Sequence, residues 1–456
     1  MIPDILPRTE GAYIVGGSVR DFVLDRFPAD YDIAVMEHPE KFAERLARKT
    51  KGSLVRMGKP GQMVFRVVSY PYMFDISPVN GSCIEADLEQ RDFTINAMAY
   101  DLFSGKIVDC MESLRDISDK KIRMVSEQAF RNDPLRLLRA YRMGALLGFE
   151  IDPQTVSAIR RNAPLIRKPA GERIRSEIFK IFNTPNSYNY ISQMADSGLL
   201  FEIFPELGRL KGCLQNRYHV YDVFEHTMKA FHYLEMTVNA PDKLKKLGFP
   251  SGSPFDETEA MLLKCSVLLH DIGKPSVQST DTRGNIHFYN HENAGADMML
   301  RISERLKFST NELRFTEFMI RNHIRTLHLF TAYRRKGLTR KGIARFFMAC
   351  GDKAPGLLLH AIADNKGKGG DDNERTEAFT EFAKTMILDY FSNFIPEKSK
   401  PPLITGKDLI NEFGLTPSPI FKIILNLVEE ERLAKRISDR QEAMKVVKMF
   451  LERRSG

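Results

Sequence analysis

Cysteine is scarce in this sequence and never occurs as a close pair. Five cysteines are scattered over 456 residues, and none forms a C-x-x-C motif. A zinc ribbon needs paired cysteine ligands and a disulfide framework needs a regular set of cysteines, so the pattern argues against both. Scattered cysteines fit a reducing compartment, and we expect a cytoplasmic protein.

Long apolar runs are missing as well. No stretch of about 18 uninterrupted apolar residues occurs, and the first residues do not combine a basic segment with an apolar run. We therefore expect neither a membrane span nor a secretory signal. Hydrophobic residues make up 43% of the chain, which is enough to build packed cores. At 456 residues the chain exceeds what one core usually organises, so two to four domains are expected.

Acidic residues are outnumbered by basic ones. The chain has 67 Lys and Arg against 59 Asp and Glu, which gives a formal net charge of +8. An excess of positive charge suits a polyanionic partner such as nucleic acid, although many basic proteins bind none. The charge alone leaves both possibilities open.

Hydrophobic periodicity divides the chain into two parts. In the first 125 residues, short β-type runs mix with amphipathic helical stretches, whereas apolar residues recur at helical spacing from residue 126 onward. We predict an α+β protein with a small mixed α/β head and a nearly all-helical remainder. Strands are predicted at 12–15, 32–35, 63–68 and 73–77, a helix at 41–49, and loops rich in Pro, Gly or Ser at 239–257 and 392–402.

A glycine turn follows the first predicted strand. Gly16 and Gly17 come directly after the apolar run 12–15, and Arg20 and Asp21 lie in the plausible helix that follows. Such an arrangement can bind an anion, because backbone N–H groups and the helix dipole face an incoming phosphate, and an arginine adds a charged fork. A simple tight turn explains the two glycines more readily when they are considered alone.

Two aspartates lie a short distance downstream. Asp30 and Asp32 are two positions apart in a predicted extended segment, so their side chains point to the same face. Carboxylates that close repel each other unless a cation lies between them, and Mg2+ prefers such ligands together with substrate phosphates. Two ions of this kind can activate an attacking hydroxyl and stabilise a leaving pyrophosphate. An isolated pair is more often simply solvated, so the neighbouring glycine turn is what favours a metal site.

The sequence GGSVRDFVLDRFPADYD, which begins at Gly16, resembles the signature of the polymerase-β-like nucleotidyltransferases. It is most similar to the class II branch, which contains bacterial tRNA nucleotidyltransferases and bacterial poly(A) polymerases. The resemblance implies that Asp30 and Asp32 are catalytic and bind Mg2+, with Asp75 as a third carboxylate on a neighbouring strand. It also implies that the nucleotide is bound at Gly16, Gly17, Arg20 and Asp21.

The sequence QRDFTINAMA, which begins at Gln90, resembles a second motif of the same family, RRDFTxNA. The resemblance implies that Arg91 and Asn96 bind the triphosphate and that Asp92 binds the sugar hydroxyls. Gln90 stands where the family usually has the first of two arginines. A purely structural alternative is that Asp92 or Thr94 caps a helix beginning at Ile95.

Asp133, Arg136 and Arg139 recur every three residues where Pro134 starts a predicted helix, so they share one face. They could simply be a helix cap and a solvated surface. The stretch resembles the family motif EDxxRxxR, which implies that Asp133 and Arg136 read the incoming base and that Arg139 and Arg142 support them or the triphosphate. A carboxylate accepts from the exocyclic amine of cytosine or adenine, and a guanidinium donates to the adjacent ring nitrogen. This pairing would select CTP and ATP.

A second set of candidate ligands lies downstream in the order H…HD…H…H…D, which resembles the HD-domain phosphohydrolases. Imidazole and carboxylate ligands together suit a divalent transition metal such as Mn2+, Ni2+ or Fe2+, which activates water for phosphoester hydrolysis. A lone histidine is more often a packing or surface residue, but a His-Asp pair before Ile-Gly-Lys is less easily explained in that way. The predicted metal ligands are His226, His270, Asp271, His291, His323 and Asp364.

The resemblance extends over essentially the whole chain. It implies a nucleotidyltransferase head (1–125), an elongated helical neck for base selection and RNA binding (126–185), a helical body with the HD domain (186–395) and a tRNA-binding tail (396–456). The expected activity is the addition of CMP, AMP or both to the 3′ end of tRNA. The HD domain is expected to act as a phosphatase or 2′,3′-cyclic phosphodiesterase.

Two alternatives remain open. One is a bacterial poly(A) polymerase, which shares the head motifs, and the other is an HD phosphohydrolase with an inactive RNA-binding head. The nucleotides that are added are also open, because Asn132 replaces the glutamate usual in the neck motif. The stretch from Asp75 to Arg91 is shorter than expected for an enzyme that switches between C and A, which tilts the prediction toward an enzyme that adds only part of the CCA tail, such as C alone.

Overall fold

The computed structural model describes residues 5–28, 30–58, 63–215, 220–252, 254–369 and 373–455, without the side chains of residues 336, 373 and 455. Ala29, beside the paired aspartates, and residue 253, within the predicted loop 239–257, lie outside the described residues. The chain divides into two compact units, residues 1–205 and 206–456. The finer domain boundaries near 125, 185 and 395 stay predictions.

A seven-stranded mixed sheet forms the centre of the first unit. Its strands are β1 (Ala12–Val15), β2 (Asp30–Val35), β3 (Ser53–Met57), β4 (Val64–Ser69), β5 (Tyr72–Pro78), β6 (Met98–Asp101) and β7 (Ile107–Asp109). Across the sheet they lie in the order β3-β4-β5-β2-β1-β6-β7, and only β2 and β5 pair in parallel. All four predicted strands and the predicted helix at 41–49 are present, with ends within two residues of the prediction.

The side-chain alternation of β2 separates its aspartates from the core. Tyr31 and Ile33 are buried, whereas Asp30 and Asp32 remain accessible on the opposite face. In the parallel pairing of β2 with β5, Asp32 lies directly opposite Asp75. The sheet therefore presents carboxylates from two adjacent strands on one face.

Helices pack on the sheet and continue beyond it in the first unit. Helix α2 buries Phe42 and Leu46, which are four residues apart and so lie on one face. The helices are α1 (Gly17–Val23), α2 (Pro39–Thr50), α3 (Ile84–Leu88), α4 (Ser113–Ser118), α5 (Gln128–Asn132), α6 (Leu135–Leu147), α7 (Pro153–Asn162), α8 (Gly171–Phe182), α9 (Ser187–Asp196), α10 (Leu199–Ile203) and, at the unit boundary, α11 (Pro205–Gly208). Short 3-10 turns lie at Thr94–Asn96 and Ala163–Arg167, and β8 (Lys121–Ile122) pairs with β9 (Glu150–Ile151).

In its described residues, the second unit is helical apart from one small hairpin. Helices α14 and α20 are buried on nearly all sides, as expected for helices at the centre of a bundle. The helices are α12 (Val223–Val238), α13 (Pro241–Lys246), α14 (Glu257–Leu269), α15 (Lys274–Val277), α16 (His291–Leu306), α17 (Thr310–Asn322), α18 (Arg325–Lys336), α19 (Arg340–Cys350), α20 (Ala354–Gly367), α21 (Asn373–Asp389), α22 (Ile395–Lys398), α23 (Gly406–Phe413), α24 (Ile420–Leu433) and α25 (Arg440–Ser455). The hairpin consists of β10 (Ser279–Thr280) and β11 (Ile286–His287), a 3-10 turn lies at Gly351–Lys353, and a π-helical turn lies at Tyr390–Phe394.

The predicted α+β class is confirmed, but three local predictions are wrong. The predicted loops at 239–257 and 392–402 contain helices α13 and α22, because their prolines stand in the first helical turn, where a missing N–H costs nothing. The helix predicted from Ile95 is only a 3-10 turn, because the chain then joins the sheet as β6. Among the described residues, no helix combines the length and apolar character that a bilayer span requires.

Candidate active sites

A cavity of about 460 Å3 opens beside β1 in the first unit. It is lined by the glycine turn, the segment before β6, and helix α6. Ten of the 14 residues predicted for the head and neck site lie in its wall, namely Gly16, Gly17, Arg20, Asp21, Asp32, Arg91, Asp92, Asn96, Arg139 and Arg142. Arg26 and the apolar side chains of Met143, Leu146 and Leu147 complete the wall.

Gly16 allows two charged groups to meet at the floor of the cavity. Its φ of 73° lies in the left-handed region. A Cβ atom there would lie 2.9 Å from Nη1 of Arg91 and 3.6 Å from Oδ2 of Asp32. Glycine at this position therefore provides both the backbone conformation and the space in which Arg91 approaches the aspartate.

A hydrogen-bonded network fixes the rear of the cavity. Arg20 donates from Nε and Nη2 to Oδ1 of Asp21 at 2.9 and 2.7 Å, and from Nη1 to Oδ1 of Asn96 at 2.7 Å. The amide of Asn96 in turn donates to Oδ1 of Asp92 at 3.1 Å. The glycine turn and the segment before β6, which are far apart in sequence, are thus tied together.

Asp92 is buried at the end of this network. Nη2 of Arg139 lies 2.6 Å from its Oδ2, and the N–H of Phe93 donates to its Oδ1 at 2.9 Å. Burial alone would raise the pKa of Asp92, but Arg139 and the hydrogen bonds from Asn96 and Phe93 hold it below its usual value. Asp92 is therefore a buried carboxylate that orients Arg139 in the cavity wall.

The three predicted metal-binding carboxylates differ in their surroundings. Asp75 accepts two hydrogen bonds of 2.7 Å from Nε and Nη2 of Arg66 on β4, an arginine that the sequence did not single out. Partial desolvation raises the pKa of Asp32, and the charges of Asp75 and Asp30 add to the increase, while Arg91 opposes it. Accessible oxygen ligands that repel one another in this way fit a bound Mg2+ ion.

Asp133 and Arg136 do not line this cavity. Oδ1 of Asp133 accepts from the N–H of Leu135 at 3.2 Å, and its Oδ2 lies 3.1 Å from Nη2 of Arg173. Nη1 of Arg136 donates to the backbone oxygen of Gln90 at 2.9 Å. Each group keeps further hydrogen-bonding positions, since a carboxylate has about four acceptor sites and a guanidinium has five donors.

The short segment between β5 and β6 is closed by side-chain hydrogen bonds. Nδ2 of Asn80 donates to Oε1 of Gln90 at 2.6 Å, and Nε2 of Gln90 donates to the backbone oxygens of Asn80 and Ala86, both at 3.1 Å. Within the same segment, Asp87 accepts from Arg91 at 2.8 Å. We call the pair Asn80 and Gln90 the clasp. The clasp holds the backbone oxygen to which Arg136 is bonded.

Arg142 is held by an acidic residue from another helix. Its Nε lies 2.9 Å from Oε2 of Glu177 on α8, and Glu177 is buried. The partners of the cavity arginines, Glu177 and Asp87, were not among the predicted site residues. The role of Glu177 depends on a contact between separate helices, which no local sequence pattern reports, whereas Asp87 lies only four residues from Arg91.

The second unit brings all six predicted histidine and aspartate ligands together. They form two groups, within each of which one ligand atom per residue lies within 4.8 Å of the others. The first group is His226, His270 and Asp364, and the second is Asp271, His291 and His323.

Asp271 lies between the two groups. Its Oδ2 is 3.1 Å from Nε2 of His270 and 3.5 Å from Nε2 of His226. Its Oδ1 is 3.5 Å from Nε2 of His291 and 3.8 Å from Nε2 of His323. One carboxylate thus faces two clusters of ligand atoms, an arrangement that fits a bridge between two metal ions.

The tautomers of three histidines are set by backbone carbonyls. The Nδ1 atom of each histidine lies 2.7 to 2.8 Å from the backbone oxygen of the residue three positions earlier. The backbone oxygens belong to Val267 for His270, Phe288 for His291 and Ile320 for His323. When Nδ1 carries the proton, Nε2 offers a lone pair to a metal. Nε2 of His291 and Nε2 of His323 face each other at 3.0 Å, so two lone pairs oppose unless a cation lies beside them. The donor set therefore fits a divalent transition metal.

A cavity of about 380 Å3 leads to this centre. Nζ of Lys274 in its wall lies 2.7 Å from Oδ2 of Asp271, and Lys368 adds a second positive charge. His360 lies behind the centre, with its ring 5.3 Å from that of His270, and burial lowers its pKa to about 3. Neither Lys274 nor His360 was predicted as a site residue. His360 belongs to no recognised sequence motif, and Lys274 was considered only as the last residue of the motif His-Asp-Ile-Gly-Lys.

Comparison with known proteins assigns three domain families to the chain. Residues 12–123 match the poly A polymerase head domain, residues 148–210 match the probable RNA and SrmB-binding site of polymerase A, and residues 223–341 match the HD domain. The nucleotidyltransferase and HD families are generally metal-dependent.

Curated relatives span the full length of the chain. An A-adding tRNA nucleotidyltransferase from Deinococcus radiodurans is 30% identical over 100% of this chain and 99% of its own length. A CC-adding tRNA nucleotidyltransferase from Thermus thermophilus is 28% identical over 95% of this chain and 92% of its own length.

Solved structures share the fold at lower identity. A CCA-adding enzyme in complex with ATP gives a TM-score of 0.67 at 22% identity over 97% of this chain and 90% of the other. The Thermotoga maritima CCA-adding enzyme in complex with tRNA gives 0.62 at 21% identity over 96% and 91%.

Proposed function

Because this chain belongs to the family of bacterial tRNA nucleotidyltransferases, we propose that its first unit transfers a nucleotide from CTP or ATP to the 3′ end of tRNA. The observation that carries the proposal is the convergence of ten predicted residues on one cavity of about 460 Å3. Its five free cysteines and this substrate support a cytoplasmic location.

The charges of the cavity suit a nucleoside triphosphate. Five arginines line it, of which Arg20, Arg139 and Arg142 are oriented by acidic partners. Oriented guanidinium groups bind phosphate oxygens in a fixed geometry, and the turn at Gly16 and Gly17 leaves room for the triphosphate to approach the backbone.

The carboxylates Asp30, Asp32 and Asp75 would hold Mg2+ in this unit. When bound, the metal lowers the barrier to attack by the tRNA 3′ hydroxyl on the α-phosphorus and stabilises the departing pyrophosphate. Arg66 fixes the orientation of Asp75, and Arg91 lies where it offsets the charge of Asp32. The protein thus supplies position and charge for an in-line displacement.

We propose that the base is read by Asp133 and Arg136 and that the enzyme adds only one kind of nucleotide, which we take to be C. The support is the clasp, which closes the short segment before Arg91 and fixes the carbonyl that binds Arg136. A segment fixed by the clasp holds Arg136 in one position, whereas an enzyme that reads both C and A needs two positions of its base-reading side chains.

The proposal is tested with three tRNA transcripts, ending before the CCA tail, after one C, and after both. Each is incubated with CTP alone or with ATP alone, and the products are resolved by length. We expect extension of the first two with CTP and none of the third with ATP. Failure to extend any transcript would refute nucleotidyl transfer, AMP addition after CC would refute C-only addition, and long A tails on unrelated RNA would indicate a poly(A) polymerase.

Opening the clasp should weaken base discrimination. In Gln90→Ala the three hydrogen bonds of the side chain are lost, and we expect the ratio of kcat/KM for CTP over ATP to fall by about tenfold. Tenfold corresponds to about 1.4 kcal/mol, roughly half of what three hydrogen bonds of about 1 kcal/mol each contribute. Gln90→Glu keeps the acceptor for Asn80 but places a carboxylate oxygen against the carbonyl oxygens of Asn80 and Ala86, so it should lower the ratio as well. Gln154→Ala, an exposed glutamine on α7, is the matched control. An unchanged ratio in Gln90→Ala would show that the clasp does not control Arg136.

We further propose that the second unit hydrolyses phosphoesters, with activity as a phosphatase or 2′,3′-cyclic phosphodiesterase. The six predicted ligands would hold Mn2+, Ni2+ or Fe2+, and the bound metal supplies an activated water. Lys274 lies beside Asp271 where it can neutralise a phosphate oxygen, and the tautomers of His270, His291 and His323 keep their Nε2 atoms available.

A further inference from the structure

Helix α18 lines two separate cavities of the second unit. Ile324, immediately before the helix, and Leu327 and His328 lie in the wall of the cavity that leads to the HD centre. One turn further, Phe330 and Thr331 lie in the wall of a second cavity of about 410 Å3. Residues three and four apart occupy the same helix face, so the two cavities lie along one side of α18, about 5 Å apart along its axis.

The second cavity is strongly basic. Besides Phe330 and Thr331, the described residues that line it are Arg334, Arg335, Arg375 and one acidic residue, Glu374. Arg334 and Arg335 are exposed, and within the part of the chain that the structure describes neither lies within salt-bridge distance of a carboxylate. Unpaired guanidinium groups in a groove are suited to phosphate oxygens.

The sequence around α18 contains an unusual run of charge. Residues 318–351 include eight Lys and Arg and no Asp or Glu, which equals the net charge of +8 for the whole chain. Part of this charge is neutralised by contacts, because Lys341 and Arg345 pair with Glu430 and Arg321 pairs with Glu317. Arg334 and Arg335, together with Arg325 and Arg340, belong to the charge that remains.

An aromatic side chain lies beside the arginines. Tyr333 is 47% exposed, and its ring packs against Phe382 at 5.2 Å and Phe330 at 6.5 Å. Exposed aromatic rings next to a basic groove are the usual features of single-stranded nucleic acid binding, because bases stack on the ring while cations follow the backbone.

We propose that the HD centre acts on the 3′ end of an RNA chain, whose preceding phosphodiesters lie along α18 against Arg334 and Arg335. We call this face, from Leu327 to Arg335, the RNA track. The proposal rests on the phosphohydrolase function proposed above and adds to it a binding surface for the RNA chain that precedes the reacting end. In the reaction, a water oxygen bonds to the phosphorus of a terminal 2′,3′-cyclic phosphate, one P–O bond to the ribose breaks, and the released ribose oxygen takes up a proton.

The track predicts a preference for chain length that a site for small esters lacks. We expect the metal-loaded full chain to hydrolyse a six-nucleotide RNA ending in a 2′,3′-cyclic phosphate with a kcat/KM at least about tenfold above that for 2′,3′-cyclic CMP, because added phosphates contact added arginines. The preference should fall as salt is raised.

The decisive variant is Arg334→Glu combined with Arg335→Glu. It should reduce kcat/KM for the six-nucleotide RNA by about tenfold or more through KM, and reduce the slope of log(kcat/KM) against log salt by about two, while cyclic CMP hydrolysis stays within about twofold. Arg301→Glu with Arg314→Glu reverses two exposed arginines on α16 and α17 and is the control of equal charge.

The possible failures are distinguishable. Hydrolysis of neither substrate by the wild type would remove the phosphohydrolase function and the track with it. Hydrolysis of both substrates without a preference for the longer one, or an equal loss in the track and control variants, would overturn the track alone.

Discussion

Replacing Asp32 by asparagine should reduce nucleotidyl transfer by about 10³-fold or more. A bound metal contributes several kcal/mol to the stabilisation of such a transition state, and each 1.4 kcal/mol corresponds to about tenfold in rate. Asp32 is the one predicted metal-binding carboxylate that lines the nucleotide cavity, and it lies opposite Asp75 on the adjacent strand. Transfer is measured as incorporation of labelled CMP into tRNA.

Loss of activity in this variant should occur without loss of stability. The pKa of Asp32 is raised in the folded protein, so its charged form is disfavoured by folding at neutral pH, and a neutral asparagine removes that disadvantage. We therefore expect a Tm equal to or above that of the wild type. Asp119→Asn, which changes an exposed aspartate at the end of α4, is the control for charge. Wild-type transfer by Asp32→Asn would overturn the assignment of the catalytic carboxylates.

Replacing Asp271 by asparagine should abolish phosphohydrolase activity and metal binding in the second unit. Asp271 faces both ligand groups, so its loss removes a ligand from each position. We expect hydrolysis of 2′,3′-cyclic CMP to fall to background and the metal content, measured by mass spectrometry, to fall accordingly. Nucleotidyl transfer should stay within about twofold of wild type, because its carboxylates belong to the first unit.

A second variant separates metal loss from damage to the fold. Asp271→Asn leaves the buried ammonium of Lys274 without its carboxylate partner, and breaking a buried ion pair typically costs about 3–5 kcal/mol. His291→Asn affects only the second ligand group and should retain metal in the first, with hydrolysis still lost. His232→Asn, on the exposed face of α12, is the control. Full metal content in both ligand variants would show that these residues do not hold the ion.

Local sequence patterns predicted the strands and turns that position the site residues better than the side-chain contacts between those strands and turns. The strand containing Asp32 and the glycine turn at Gly16 could be predicted because alternation and turn-forming residues act within a few positions. Arg66 could not, because its pairing with Asp75 depends on which strands become neighbours in the sheet.

The incorrect loop predictions have a common physical origin. The loops were predicted from segments rich in proline, glycine or serine, but proline breaks a helix only in its interior and is favoured in the first turn, where Pro241 lies. The two HD ligand groups depend instead on contacts between residues that are distant in sequence. His226 and Asp364 are separated by more than half of the second unit, and only the packing of α12 against α20 brings Nε2 of one within 2.9 Å of Oδ1 of the other.

The position of β2 in the sheet limits how this strand can change in length. It pairs with β1 on one side and β5 on the other, so hydrogen bonds to two neighbouring strands fix its register. Because side chains alternate along a strand, a one-residue insertion between Tyr31 and Asp32 would place Asp30 and Asp32 on opposite faces, so that one of the two carboxylates would leave the site. Insertions and deletions should therefore be far rarer than substitutions in this strand over evolution, and loop redesign of the head has to begin outside it.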